Sequence, residues 1–487
     1  MRSRVECALS LFLPLLRGRL GGGLVQDTLT DAFVARDPHP TFPLRRGKAL
    51  YFPLLMCLIL TACSQIPDWV GGSPPVVTRA PGERVNVVAS ELGLTPDEAV
   101  QREVVEVPEQ TNLEQWWTMN EAMLTQHIGL TGVTREQSAT VGEGNDFVRS
   151  VASAPVVAGG MVFAMDAAGI VSAHDESDIA QVKWTDETGR PKKVNDVLGG
   201  GLAYADGVVY ATNGSGNLRA LNAADGAVKW SIRVGAPVRG APAVAGGLVV
   251  VLTADNQTLA FDAANGQPRW EHRGIRETAG YFSVTSPIIS EGIVMAAYSS
   301  GELFALRLET GSPLWNDTLA GGVRTKAAAA FGGIDANPIV QEGVVVAASA
   351  SGQMQASALL NGRPLWQQRI GVHTTPWSAG NVLYVLSDTH DIAAIMKGSG
   401  AVRWATSLKV LDKNDPTKDV TPPLYGPILS ANAVLVIDGN GVLTSFKPTD
   451  GTLISTYELA DGIVTNPVIA NGAMYVLTKA GKLVKYY

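Results

Sequence analysis

Residues 201–230 read GLAYADGVVYATNGSGNLRALNAADGAVKW, and from about residue 150 the chain repeats that stretch to its end. The copies span 154–184, 201–230, 241–270, 286–315, 337–366, 375–404 and 426 to about 455, followed by a truncated copy at 466–487. Six of them end on a tryptophan, at Trp184, Trp230, Trp270, Trp315, Trp366 and Trp404, spaced 46, 40, 45, 51 and 38 residues apart. That period is the one expected of a propeller blade made of four strands.

Inside a copy, β-branched and aromatic runs such as Val208-Val209-Tyr210 and 248–252 (LVVVL) follow the turn pairs Asp206-Gly207 and Gly246-Gly247, so they read as hairpin strands. A glycine-marked turn, Ser215-Gly216-Asn217, leads into the run Leu218-Arg219-Ala220-Leu221. A second turn sets a glycine four residues before the tryptophan, as in Gly226/Trp230, Gly266/Trp270, Gly311/Trp315, Gly362/Trp366 and Gly400/Trp404. Glycine supplies the positive φ of that turn, and the tryptophan opens the outer strand with its indole placed to wedge against the next blade. A lone four-stranded blade cannot cover both of its faces. It is stable only between two others, and closing the ring removes the exposed ends.

The last copy stops after its third strand, so another part of the chain must complete it. Residues 112–118 (NLEQWWT) lie upstream of the first copy and read as an orphan fourth strand, with Trp116 or Trp117 in the place of the repeat tryptophan. The expectation is an all-β fold over 111–487: an eight-bladed β-propeller of four-stranded antiparallel blades, closed by an N-terminal strand near Trp117.

The formal charge of -7 and the pI near 5.5 argue against a nucleic-acid partner, because no basic patch is offered to a phosphate backbone. The three cysteines are Cys7, Cys57 and Cys63, so the repeats contain neither a disulfide framework nor a cysteine metal site.

Upstream, Arg45-Arg46-Gly47-Lys48 precedes the apolar run 49–62, too short to span a membrane and of the right length for a secretory signal. Its end, Leu60-Thr61-Ala62-Cys63, resembles a bacterial lipobox, which implies acylation of the Cys63 thiol. Residues 1–62 are therefore expected to be a leader, with the signal peptide at about 45–62 and a start assigned too early accounting for 1–44. Residues 63–110 read as a lipid-anchored tether. Within it, Thr95-Pro96-Asp97-Glu98 carries an N-cap, a first-turn proline and a capping-box glutamate, so a short helix is expected from 96 to about 102.

The lipobox, the tether and eight repeats of the form Ala-x-(Asp/Asn)-x-x-x-Gly-x-x-x-Trp, as in Ala220 to Trp230 and Ala260 to Trp270, resemble the BamB-type lipoproteins of the outer-membrane β-barrel assembly machinery over about residues 60–487. The repeat is shared with the pyrroloquinoline-quinone dehydrogenases. The resemblance implies a non-catalytic scaffold, lipid-anchored on the periplasmic face of the outer membrane. It would bind the periplasmic domains of the central barrel-insertion protein and help unfolded barrel precursors reach it. Ser64 after the lipidated cysteine resembles outer-membrane sorting. The family's contact loops fall on Asp335, within Ile334-Asp335-Ala336-Asn337-Pro338, and on Tyr281 and Phe282, where the family's arginine is missing. Exposed blade edges are a further expected route, through backbone pairing with extended segments.

Two other readings belong to different classes. A quinone-dependent periplasmic dehydrogenase would resemble its family in an adjacent cysteine pair over the cofactor, a Glu/Asn/Asp calcium site and an aspartate base; the repeats hold no cysteine. A ligand-binding propeller would use the central channel, yet no aromatic cluster beyond the repeat tryptophans is offered to line it. His127, His174, His272, His373 and His390 share no metal-like spacing and read as loop or core residues. No catalytic residue, cofactor or metal ligand is assigned.

Overall fold

The first two strands of most repeats are joined by two-residue turns with both residues at positive φ, such as Asp206 and Gly207 (48° and 74°) or Glu291 and Gly292 (50° and 73°). This is the type I′ geometry, whose twist matches that of the strands it joins. The turn into the third strand is held by a short polar side chain. Asn213 Oδ1 accepts from the N–H groups of Ser215 and Asn217, and Asp438 Oδ1 from those of Asn440 and Val442. Local chemistry thus fixes each repeat as a four-stranded meander.

In a computed structural model of the chain, residues 94–116, 126–144, 153–190, 199–276, 285–319, 333–350, 352–415, 417–459 and 461–487 are described. They form eight antiparallel blades: 156–186, 200–233, 243–273, 288–318, 339–368, 377–407, 424–458 and 468–486, the last completed by an N-terminal strand. The opening strands of neighbouring blades touch one another, as between Val156–Ala158 and Gly200–Ala205 or Ala243–Ala245 and Ile288–Ser290, so they line the axis while the fourth strands face outward. The core lies in the seams between blades. In the first seam Val156, Phe163, Val171 and Trp184 pack on Leu202, Val209 and Leu221.

The tryptophans set the spacing of those seams. Trp184, Trp230, Trp270, Trp315, Trp366 and Trp404 each donate the indole N–H to a carbonyl of the following blade, on Ala223, Ala263, Leu308, Leu359, Lys397 and Pro448, at 2.6–3.0 Å. Each ring also lies against the glycine three residues beyond that carbonyl, where a Cβ could not fit.

The closing strand is N-terminal, but it is Glu136–Thr140 and not the segment at Trp116 and Trp117. It pairs antiparallel with Lys482–Tyr486, Ser138 opposite Val484. The physical reason is that an outer strand buries little, so a polar run with one buried residue, Ala139, suffices, whereas the large apolar Trp116 is buried near the axis. Trp117 lies outside the described residues. The helix expected from residue 96 is also replaced, by successive turns: Ala99 N–H bonds to Asp97 Oδ1, Val100 N–H to the Asp97 carbonyl and Glu103 N–H to the Val100 carbonyl. Packing on the sixth blade overrides the local helix signal, since Asp97 N–H is taken by the Val402 carbonyl at 2.8 Å.

Candidate partner-binding face

The two faces of the ring differ. One carries the turns between the first and second strands, and on four consecutive blades the N-terminal segment bonds to it. Asn381 of the sixth blade accepts from Glu106 N–H and donates to the Val104 carbonyl, both at 2.9 Å. On the seventh blade Asn432 N–H donates to His127 Nε2 at 2.9 Å, and Ile128 pairs with Ser430. Because Nε2 accepts, the His127 proton sits on Nδ1, where it is donated to the Pro108 carbonyl. On the eighth blade Asn471 N–H meets the Leu113 carbonyl and Thr131 N–H meets the Gly472 carbonyl, both at 2.8 Å. Finally, Trp116 pairs with Val157 on the opening strand of the first blade.

Trp116 also stacks on Trp377, of the opening strand of the sixth blade, with centroids 6.2 Å apart. The first and sixth blades are not neighbours, so a residue that pairs with one inner strand and stacks on the other reaches across the axis. Both rings are buried, and Trp377 Nε1 donates to the Gln126 carbonyl at 2.8 Å. The chain's own N-terminal segment therefore occupies this mouth of the channel.

The opposite face carries the connections between blades and the turns between second and third strands. Asp335 sits there in the lead-in to the fifth blade. Its side chain is only 7% exposed: Oδ2 accepts from His373 Nδ1 at 3.2 Å, and Oδ1 is buried without a hydrogen-bond partner. His373 itself is half exposed, in the lead-in to the sixth blade. The aspartate thus meets solvent mainly through the imidazole. Next to it, Asp388 N–H bonds to the Gly371 carbonyl, and His390 donates from Nδ1 to Asp419 Oδ2 at 3.0 Å, tying the sixth blade to the connection that leads into the seventh. Burial pushes the Asp419 carboxyl up, but bonds from Thr421 and His390 outweigh it and hold the group at about 2.

The remaining polar clusters are internal. Arg219 and Asp186 form an ion pair almost wholly out of solvent, and burial lowers the arginine's pKa. Tyr298 bonds to Thr258 at 2.6 Å and to His272 at 3.0 Å across a seam; burial raises the tyrosine and lowers the histidine. His174 is a core residue held by Ser172 and the Ile179 carbonyl. Among the described residues no three His, Cys, Asp or Glu side chains converge as a metal site.

Cys63, Tyr281 and Phe282 lie outside the described residues. Sequence reasoning missed His373 as the partner of Asp335, although a signal existed. Asp335 and His373 each stand three residues before a repeat proline, Pro338 and Pro376, so they occupy the same phase in adjacent blades.

A family model described as outer membrane protein assembly factor BamB matches residues 167–406. Among curated proteins, the BamB of Yersinia pestis is 25% identical over 355 residues, covering 72% of this chain and 87% of that protein. The BamB of Escherichia coli is 26% identical over 331 residues, covering 67% and 82%. Among solved structures, BamB from Moraxella catarrhalis superposes with a TM-score of 0.62 at 20% identity, covering 74% of this chain and 100% of that one. The quinohemoprotein alcohol dehydrogenase of Comamonas testosteroni gives 0.58 at 15% identity, covering 80% and 82%, a likeness of fold alone. In sequence along its repeats and in its eight-bladed fold, the chain resembles the BamB outer membrane protein assembly factors.

Proposed function

We propose that this protein is a non-catalytic scaffold of the outer-membrane protein assembly complex, held at the periplasmic face of the outer membrane by a lipid on Cys63. The observation that carries the reading is the extent of the likeness: the chain covers 87% of the Yersinia pestis assembly factor. The asymmetry of the ring supports a division of labour. Own-chain contacts hold four blades of one face and its channel mouth, which favours the face with Asp335 and His373 as the one that meets the periplasmic domains of the barrel-insertion subunit. Tyr281 and Phe282, which follow the third blade and precede the fourth in sequence, are further contact candidates. Unfolded barrel precursors are a second class of partner.

Affinity purification of the tagged protein from detergent-solubilised envelopes tests this. Co-purification of a barrel-assembly complex is the expected result. Its absence, together with quinone-dependent dye reduction by the purified protein, would replace the scaffold with a dehydrogenase.

A further inference from the structure

At the seventh blade the repeat changes. The position filled by tryptophan in six blades is Ser455, and the outer strand Leu453–Glu458 (LISTYE) is exposed at every residue. Leu453 is 61% exposed, Ile454 55% and Tyr457 38%, the densest run of exposed large apolar side chains on any outer strand described. The register shifts between Ser445, opposite Ser455, and Phe446, opposite Leu453, so Ile454 is the extra residue of a bulge and Leu453 and Tyr457 flank opposite sides of the edge.

The preceding, sixth blade shows what such an edge accepts. Val402 stands where Leu453 stands in the repeat, yet it is buried, because residues 94–107 of the same chain lie against the outer strand Val402–Ser407. They are held there by Asp97 N–H on the Val402 carbonyl and by Arg403 Nε on the Glu103 carbonyl at 2.9 Å, with Val100 and Val105 buried. A single segment with spaced apolar residues, bonded through its backbone, covers the sixth edge. The seventh is more apolar, and among the described residues no segment covers it.

Its backbone is also available. Leu459 N–H donates inward to the Gly441 carbonyl at 2.9 Å, so by antiparallel alternation Ser455 and Tyr457 also face the strand Val442–Phe446. Thr456 and Glu458 then turn their N–H and C=O groups outward, as a sheet edge does before another strand joins it.

We propose that Leu453–Glu458 is a strand-addition site that takes an extended segment of alternating apolar and polar residues from an unfolded β-barrel precursor. Strands of that class alternate lipid-facing and lumen-facing residues, which suits an edge apolar on both sides. The choice of precursor rests on the scaffold reading above.

The test uses a fluorescein-labelled 12-residue peptide of alternating apolar and polar residues, and a second peptide of the same length interrupted by two prolines. Anisotropy with the purified protein should show binding of the first peptide only. Thr456→Pro removes an outward donor that the fold does not use, and Ile454→Lys charges the edge. Each should weaken binding at least tenfold with an unchanged melting temperature, and each should still co-purify with the assembly complex. Equal binding by wild type and a folded variant, or no preference between the peptides, would overturn the proposal. So would light scattering showing a wild-type dimer that Thr456→Pro dissolves, since the edge would then pair two copies. Failure of the wild type to capture the assembly complex would count against the scaffold reading separately.

Discussion

Trp315 donates its indole N–H to the Leu359 carbonyl at 2.6 Å while its ring lies against Gly362, where a Cβ would come within 2.7 Å. The glycine is needed twice over, for the close approach and for its φ of 69°. Trp315→Ala should cost about 3 kcal/mol, the usual range for losing a packed tryptophan. Gly362→Ala should cost about 2 kcal/mol through strain and displacement of the ring. The two residues share one contact, so the double variant should cost clearly less than the sum, as read from urea unfolding.

Glu136–Thr140 completes the eighth blade, so breaking it should open the ring. Ala139→Pro, in the middle of this pairing, should cost about 3 kcal/mol and broaden the unfolding transition. Trp116→Ala should cost a similar amount while leaving the transition sharp, because it loosens the cover of the channel mouth and not the closure. Hydrogen exchange on Lys482–Tyr486 separates the two: faster in the first variant, unchanged in the second.

How much of this was legible beforehand follows from what each segment is made of. The blades were readable because turn glycines and tryptophans recur in phase. The closing strand was not, since EQSAT is a polar run whose one buried residue, Ala139, is an alanine. The N-terminal cover was hidden for a related reason. It is held by backbone bonds to turn residues such as Asn381 and Asn471, which look in sequence like ordinary turn formers. Asp335 was marked by resemblance, but its burial behind His373 is a tertiary fact carried only by the shared phase before Pro338 and Pro376.

Arg219 and Asp186 sit together out of water, so removing one leaves the other as an uncompensated buried charge. Arg219→Met or Asp186→Leu alone should each destabilise by about 3–5 kcal/mol. The pair of apolar replacements together should be close to neutral. Urea denaturation of the three variants checks this.

Asp419 has a folded pKa of about 2, below the ordinary aspartate value near 3.8, so its bonds to Thr421 and His390 stabilise the fold while it is ionised. The contribution is complete above about pH 4–5 and is lost as the pH falls through the folded pKa. Asp419→Asn should therefore be less stable than wild type at pH 6, and the difference should shrink toward zero near pH 2. Melting curves across that range read it directly.

For the scaffold role, the decisive measurement is site-specific photo-crosslinking in living cells. One probe replaces His373 on the loop face, and another replaces Gly472 on the face bonded by the N-terminal segment. We expect the first to capture the barrel-insertion subunit and the second to capture only the protein's own chain. Capture of that subunit from position 472 alone, or from neither position, would contradict the assignment of the partner to the face of Asp335.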